Sequence, residues 1–323
     1  MLKHLKKATI WSFIIAFHRL RLKFGALVSP GRAAAGAAAL FSTPVRPRRA
    51  NLEAPADIPA PSLREVPLAS GAVTLYEWGD RASQPTVMLI HGWNGWALQF
   101  ASFIAPLLAN GNAVVALDHR GHGRSAGRRA SLSGFIDTTL ELLATLPTLS
   151  AVVGHSLGGA AAACSLAHTR STAVKLVLIA PPNNPRVFLE KFAAMLGMSS
   201  KLTDAVQIWL EQRYGRSFSE VSVGRIAPSI RADTLVIHDP ADSVVPFGHG
   251  ESYGRLIKGA QVSPLAGWGH FRILGAPDAI RLVVDFVSGR ESQSVPEKLS
   301  ASMVGVRAMR DQNNVLLSGK GMQ

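Results

Sequence analysis

The segment Val152-Val153-Gly154-His155-Ser156-Leu157-Gly158-Gly159 constrains this chain more than any other stretch. It closes a β-rich run, Ala151–His155, and opens a helical run, Leu157–His168, with no loop between them. A strand that turns so sharply into a helix brings the backbone close to itself, so Gly154 and Gly158 must lack side chains. The same turn pushes the Ser156 hydroxyl out at the carboxyl edge of a sheet, above the unpaired N–H groups of a helix amino terminus. A Gly-x-Ser-x-Gly match carries little weight alone. Between a strand and a helix it has the context that a nucleophilic serine needs.

The rest of the chain supplies the sheet that this turn requires. Candidate strands are Val73–Trp78, Val87–His91, Ala113–Asp118, Ala151–His155, Lys175–Ala180, Thr234–His238 and Gln261–Leu265. Helical patterns lie near Ala97–Ala109, Leu132–Leu146, Leu157–His168 and Asp278–Val287. Runs such as Leu176-Val177-Leu178-Ile179 are apolar throughout, the signature of strands buried on both faces. Strands alternating with helices predict an α/β fold with a mostly parallel central sheet flanked by helices. Hydrophobic residues at 47% and charged residues at 17% supply the core that such a sheet demands.

A serine hydroxyl needs a base and the base needs an orienting acid. His270, in Leu265-Ala266-Gly267-Trp268-Gly269-His270, follows the last candidate strand and precedes the final helix, which selects it among ten histidines. Two aspartates follow the strand before it, in His238-Asp239-Pro240-Ala241-Asp242. Asp242, out in the loop, is favoured over Asp239, which sits at the strand end and also fits a turn before proline. Acyl transfer further needs two N–H donors for the developing oxyanion. The backbone amides of Leu157, after the serine, and Trp93, in His91-Gly92-Trp93-Asn94, are the candidates. The segment Asp118-His119-Arg120-Gly121-His122-Gly123-Arg124-Ser125 reads as a rigid turn near the site. Its two histidines lack a further ligand set, and no phosphate loop or dinucleotide fingerprint occurs.

These motifs together resemble the α/β-hydrolase superfamily, and are most similar to bacterial esterase- and lipase-like serine hydrolases, over about residues 68–288. The resemblance implies Ser156 as nucleophile, Asp242 as acid, His270 as base, and main-chain donors from Trp93 and Leu157. It implies hydrolysis of a carboxylic ester, without metal or cofactor. Thioester, lactone or amide cleavage, or a non-catalytic binder on the same fold, stay open. Serine at 156 argues against the haloalkane dehalogenases and epoxide hydrolases, which carry aspartate there.

The expected organisation is a basic amphipathic arm (1–50), a Pro-rich linker (51–67), a catalytic body (68–290) and a flexible tail (291–323). A cap insertion is expected at about residues 181–233. In the cap, Phe188, Phe192, Met195 and Leu196, then Leu202, Val206, Trp209 and Leu210, recur at helical spacing. They serve either as core-packing faces or as the wall of an acyl pocket for a hydrophobic small-molecule substrate.

Ten Lys/Arg against Glu53 and Asp57 give the first sixty residues +8 of the chain's +13. In the arm Leu2, Leu5, Phe13, Phe17, Leu20 and Phe24 fall near one stripe. Its apolar stretch Ala8–Phe17 is about half of what a membrane span requires. The arm therefore either packs on the body or makes peripheral membrane contact; no motif supports nucleic-acid binding. Cys164, the lone cysteine, excludes an intramolecular disulfide and fits a cytoplasmic setting, with its apolar neighbours predicting a buried thiol.

Overall fold

Apolar runs with no polar side to offer water must be covered on both faces, and the fold covers them. The computed structural model describes residues 2–47, 52–146, 148–169 and 174–290. The chain begins with helices α1 (Leu2–Val28) and α2 (Pro30–Phe41), followed by strands β1 (Ser62–Val66), β2 (Val73–Trp78) and β3 (Thr86–Ile90). A 3₁₀ turn leads into α3 (Ala101–Ala109), then β4 (Ala113–Asp118), α4 (Leu132–Thr145), β5 (Leu149–His155), α5 (Leu157–Thr169) and β6 (Lys175–Ile179). The insertion after β6 folds as α6 (Arg186–Leu196), α7 (Ser200–Tyr214) and the short α8 (Val223–Ile226). The body closes with β7 (Thr234–His238), α9 (Gly248–Leu256), β8 (Gln261–Pro264), α10 (Gly269–Arg272) and α11 (Pro277–Ser288).

The eight strands form one sheet in the order β1-β2-β4-β3-β5-β6-β7-β8, antiparallel at β1–β2 and β2–β4 and parallel elsewhere. Alternate residues of one strand feed opposite cores. Met88 and Ile90 pack with α4, α5 and α9 residues such as Phe135, Leu166 and Tyr253. Val87 and Leu89 pack with Phe103, Leu282 and Val283 of α3 and α11. The strand order reverses at β3, so the loops after β3 and β5 diverge at their carboxyl ends, where open α/β sheets place their ligand sites.

The predicted linker is a correction. Its second half is β1, an edge strand paired residue by residue with β2 from Ser62↔Glu77 to Val66↔Val73. Only Val66 of β1 is buried. Its stability comes from ladder hydrogen bonds, which leave no hydrophobic alternation to read. The first half is not a free spacer either: Leu52, Ala54 and Ile58 pack against the body, and the Trp78 indole donates to Pro59 O at 2.8 Å. The predicted tail, 291–323, lies outside the described residues.

The arm packs on the cap. The small side chains Ala33, Ala34, Ala37 and Ala38 of α2 are buried with Leu22 of α1 against Leu189, Leu196, Leu202, Val206 and Leu210 of α6 and α7. Alanine on one face lets helix axes approach closely, which explains why this stretch of α2 is nearly all Ala. Arm and cap thus share one satellite core above the carboxyl edge of the sheet.

Candidate active site

β5 and α5 meet at Ser156, whose φ of 52° lies in the left-handed region that non-glycine residues rarely occupy. Two things hold it there. Its N–H donates to Ile179 O at 2.8 Å, and α5 begins immediately beyond it. The neighbouring glycines are required by contact. A Cβ on Gly154 would lie 2.6 Å from Gly158 O, and one on Gly158 would run into the carbonyls of Ile90 and His91. A Cβ on Gly92 would lie 2.9 Å from Ser156 Cβ, so the loop after β3 touches the serine directly.

The three side chains singled out in the sequence converge. His270 Nε2 is 2.9 Å from Ser156 Oγ, and His270 Nδ1 is 2.7 Å from Asp242 Oδ2. All three residues are buried, yet Ser156 and His270 line a cavity. Burial alone would push the Asp242 carboxyl up. Hydrogen bonds from His238, His270 and the Val245 amide outweigh it and hold the group well below the usual carboxylate range. Asp242 Oδ1 accepts from the amides of Val244 and Val245 at 2.7 and 2.9 Å, so its orientation is set on both sides.

Asp239 has a separate place. Its Oδ2 accepts from the amides of Trp268, at 2.6 Å, and Gly269, and its Oδ1 accepts from Ala241 at 2.7 Å. It ties down the loop that delivers His270 and makes no hydrogen bond to the imidazole. Two histidines that sequence reasoning passed over also serve this geometry. His155 Nε2–H donates to His270 O at 2.9 Å. His238 Nε2–H donates to Val245 O at 2.9 Å and lies 3.3 Å from Asp242 Oδ2. Their only sequence signal was adjacency, to Ser156 and to Asp239.

The turn after β4 is the rigid hydrogen-bonded element expected of it. Asp118 accepts from the Ala97 and Arg124 amides, each at 2.7 Å, and from the Tyr76 hydroxyl at 2.9 Å. His91 Nδ1–H donates to Gly92 O at 2.7 Å while its Nε2 accepts from the His119 amide at 3.0 Å, joining the Trp93 loop to this turn. His119 stacks on Phe135 with ring centroids 3.6 Å apart. Among the described residues no three His, Cys, Asp or Glu side chains converge as metal ligands. Burial pushes the Cys164 thiol up to about 12, so it is not a thiolate nucleophile.

Burial also lowers His91, His119, His122 and His155, assisted in the last three by neighbouring imidazoles; His155 falls to about 3. These rings stay neutral when folded but titrate near 6.5 in the unfolded chain. The unfolded state therefore binds more protons below 6.5. Stability is complete above that pH and drains as pH falls toward about 3, with Asp242 extending the loss below about 4. Each such histidine contributes about 1.4 kcal/mol per pH unit. Urea denaturation is expected to show a loss of about 3 kcal/mol or more between pH 7 and pH 5. A flat profile over that interval would contradict the buried, neutral assignment.

Above the serine lies a cavity of about 210 Å³, walled largely by apolar side chains. The cap residues divide between the cavity and the arm, with Leu210 touching both. Phe188, Phe192, Met195 and Leu210 reach the cavity, while Leu196, Leu202 and Val206 pack against the arm. Trp93 and Leu157 line the cavity beside Ser156. The arm also contributes wall: Leu40, Phe41 and Val45 face the same space. The Val45 amide donates to Asn94 Oδ1 at 2.7 Å, fastening the arm to the loop after β3.

The family model described as serine aminopeptidase, S33, matches residues 81–241. The chain is 39% identical over 88 residues to a monoacylglycerol lipase of Mycolicibacterium smegmatis, covering 25% of this chain and 31% of the lipase. It thus spans less than a third of that relative's length. It is 26% identical over 246 residues to a bifunctional esterase/perhydrolase of Acinetobacter calcoaceticus, covering 60% of this chain and 87% of the relative. Among solved structures, a hydrolase from Pseudomonas aeruginosa superposes with a TM-score of 0.54 at 21% identity, covering 70% of this chain and 98% of that one.

Proposed function

We propose that this chain, which belongs to the α/β-hydrolase superfamily, hydrolyses a carboxylic ester with a hydrophobic acyl group through an acyl-enzyme. The observation that carries this reading is the unbroken chain Asp242–His270–Ser156 at the foot of an apolar cavity. Ser156 Oγ attacks the ester carbon while its proton passes to His270 Nε2. The carbonyl oxygen takes the negative charge, and the amides of Trp93 and Leu157 receive it. Collapse breaks the ester C–O bond, and the alkoxide leaves with the proton from His270. Water then repeats the sequence, giving its proton to His270, and the second collapse releases the acid and restores the serine. Asp242 holds the imidazole in the tautomer that presents a bare Nε2 to the serine, and stabilises its cation. A relative that acts on a lipid ester and another that is an esterase support the ester reading.

A fluorophosphonate probe tests it, because the probe phosphonylates only an activated serine. Wild-type chain is expected to label at Ser156 and to turn over p-nitrophenyl esters, with kcat/KM rising from acetate to longer acyl chains. Ser156→Ala should lose both. Equal labelling of the two proteins would move the nucleophile elsewhere. Labelling of wild type without turnover of any ester would favour a binder or a different acyl bond.

A further inference from the structure

The inner face of α1 is spent on the body; its outer face is not. Leu22 is buried against the cap, Ile15 and Ala26 pack beside it, and the Arg19 guanidinium donates to Met195 O of α6 at 2.8 and 3.0 Å. On the opposite side Phe13, Phe17, Leu20, Phe24, Leu27 and Val28 are between 62% and 80% exposed. At about 100° per residue they form one continuous stripe along roughly 23 Å of helix, diametrically across from Leu22. So many large apolar side chains on one face of a body that already has its core call for a partner.

We propose that this stripe seats α1 in the surface of an anionic lipid bilayer, the helix lying in the plane of the headgroups. Charge points to lipid. Exposed Arg21 and Lys23 stand about 100° to either side of Leu22, on the two shoulders of the stripe. No Asp or Glu occurs before Glu53. Cations flanking an apolar face match anionic headgroups around an acyl layer. A second copy of the helix would set like charges against like on both shoulders, which opposes self-pairing. No described helix is long and apolar enough to cross a membrane, so the helix lies on the bilayer rather than through it.

The position has a consequence for the site. α1 rests on α6, and Phe192 and Met195 of α6 wall the cavity above Ser156. Seating α1 in the bilayer therefore brings the acyl cavity within one helix of the lipid. This places a membrane-borne ester within reach, although lipid binding itself does not depend on catalysis.

Co-sedimentation of the full-length Ser156→Ala chain with vesicles tests the proposal without lipid turnover. The protein is expected to pellet with phosphatidylglycerol–phosphatidylcholine vesicles, less with pure phosphatidylcholine, and less in high salt. Adding Phe17→Glu, Leu20→Glu and Phe24→Glu should lower partitioning at least about tenfold with an unchanged circular dichroism spectrum. The proposal is overturned if the chain does not pellet with anionic vesicles or if the triple substitution pellets equally. It is also overturned if light scattering finds a dimer that the substitutions dissolve, because the stripe then belongs to a second copy.

Discussion

His270→Ala is expected to slow p-nitrophenyl ester hydrolysis by about five orders of magnitude in kcat, while the protein folds as wild type. The loss is large because no other group can take the serine proton. His155 faces the His270 carbonyl with its Nε2, and His238 is turned toward Val245 and Asp242. Neither makes a hydrogen bond to Ser156 Oγ. The fold survives because the loop is held by its backbone. His155 still donates to the carbonyl of residue 270, and Asp239 still accepts from Trp268 and Gly269. The substitution leaves an imidazole-sized space beside Asp242, so added imidazole should restore part of the rate. A variant within tenfold of wild type would remove His270 from the chemistry.

Asp242→Asn is expected to cost about 10⁴ in kcat, and the surroundings dictate how. The Val244 and Val245 amides both donate to Oδ1, so the asparagine carbonyl oxygen must occupy that position. The NH₂ group then faces His270 Nδ1. That nitrogen must become an acceptor, which moves the imidazole proton to Nε2, the atom that has to accept from Ser156. The same NH₂ meets the His238 Nε2–H at the 3.3 Å position, a donor against a donor, so stability should fall as well.

Asp239→Asn separates the two aspartates. There the amide cannot satisfy the Ala241 amide and the Trp268–Gly269 pair together. The expected result is a stability loss of about 1–3 kcal/mol for unpaired donors, with kcat falling by less than about a hundredfold. A larger kcat loss in Asp239→Asn than in Asp242→Asn would reverse the assignment.

Much of the sheet was legible because its signals are local. Ala113–Asp118 and Thr234–His238 are bounded to the residue, since a strand buried on both faces has no polar side to blur its ends. β1 was not legible. It lies on the sheet edge among prolines, holds one buried side chain, and depends on β2 for its hydrogen bonds. The arm shows how periodicity can mislead about direction. Of the stripe that stands out in the sequence, Phe13, Phe17, Leu20 and Phe24 are exposed, whereas the packing face is the less conspicuous Ile15, Leu22 and Ala26.

The sequence by itself determined that residue 156 stands on a strand-to-helix turn, since Gly154 and Gly158 answer to steric demands within a few bonds of it. It also determined the order in which serine, aspartate and histidine follow the strands of a parallel sheet. Only the tertiary structure decided that Asp242 meets the imidazole while Asp239 anchors its loop. Three residues apart on one loop, the two carboxylates have the same local chemistry, and only the closing of β7 against β8 aims one of them at His270. Only it decided, too, that the arm completes the wall of the cavity, because that contact joins segments some 150 residues apart and leaves no trace in the neighbourhood of either.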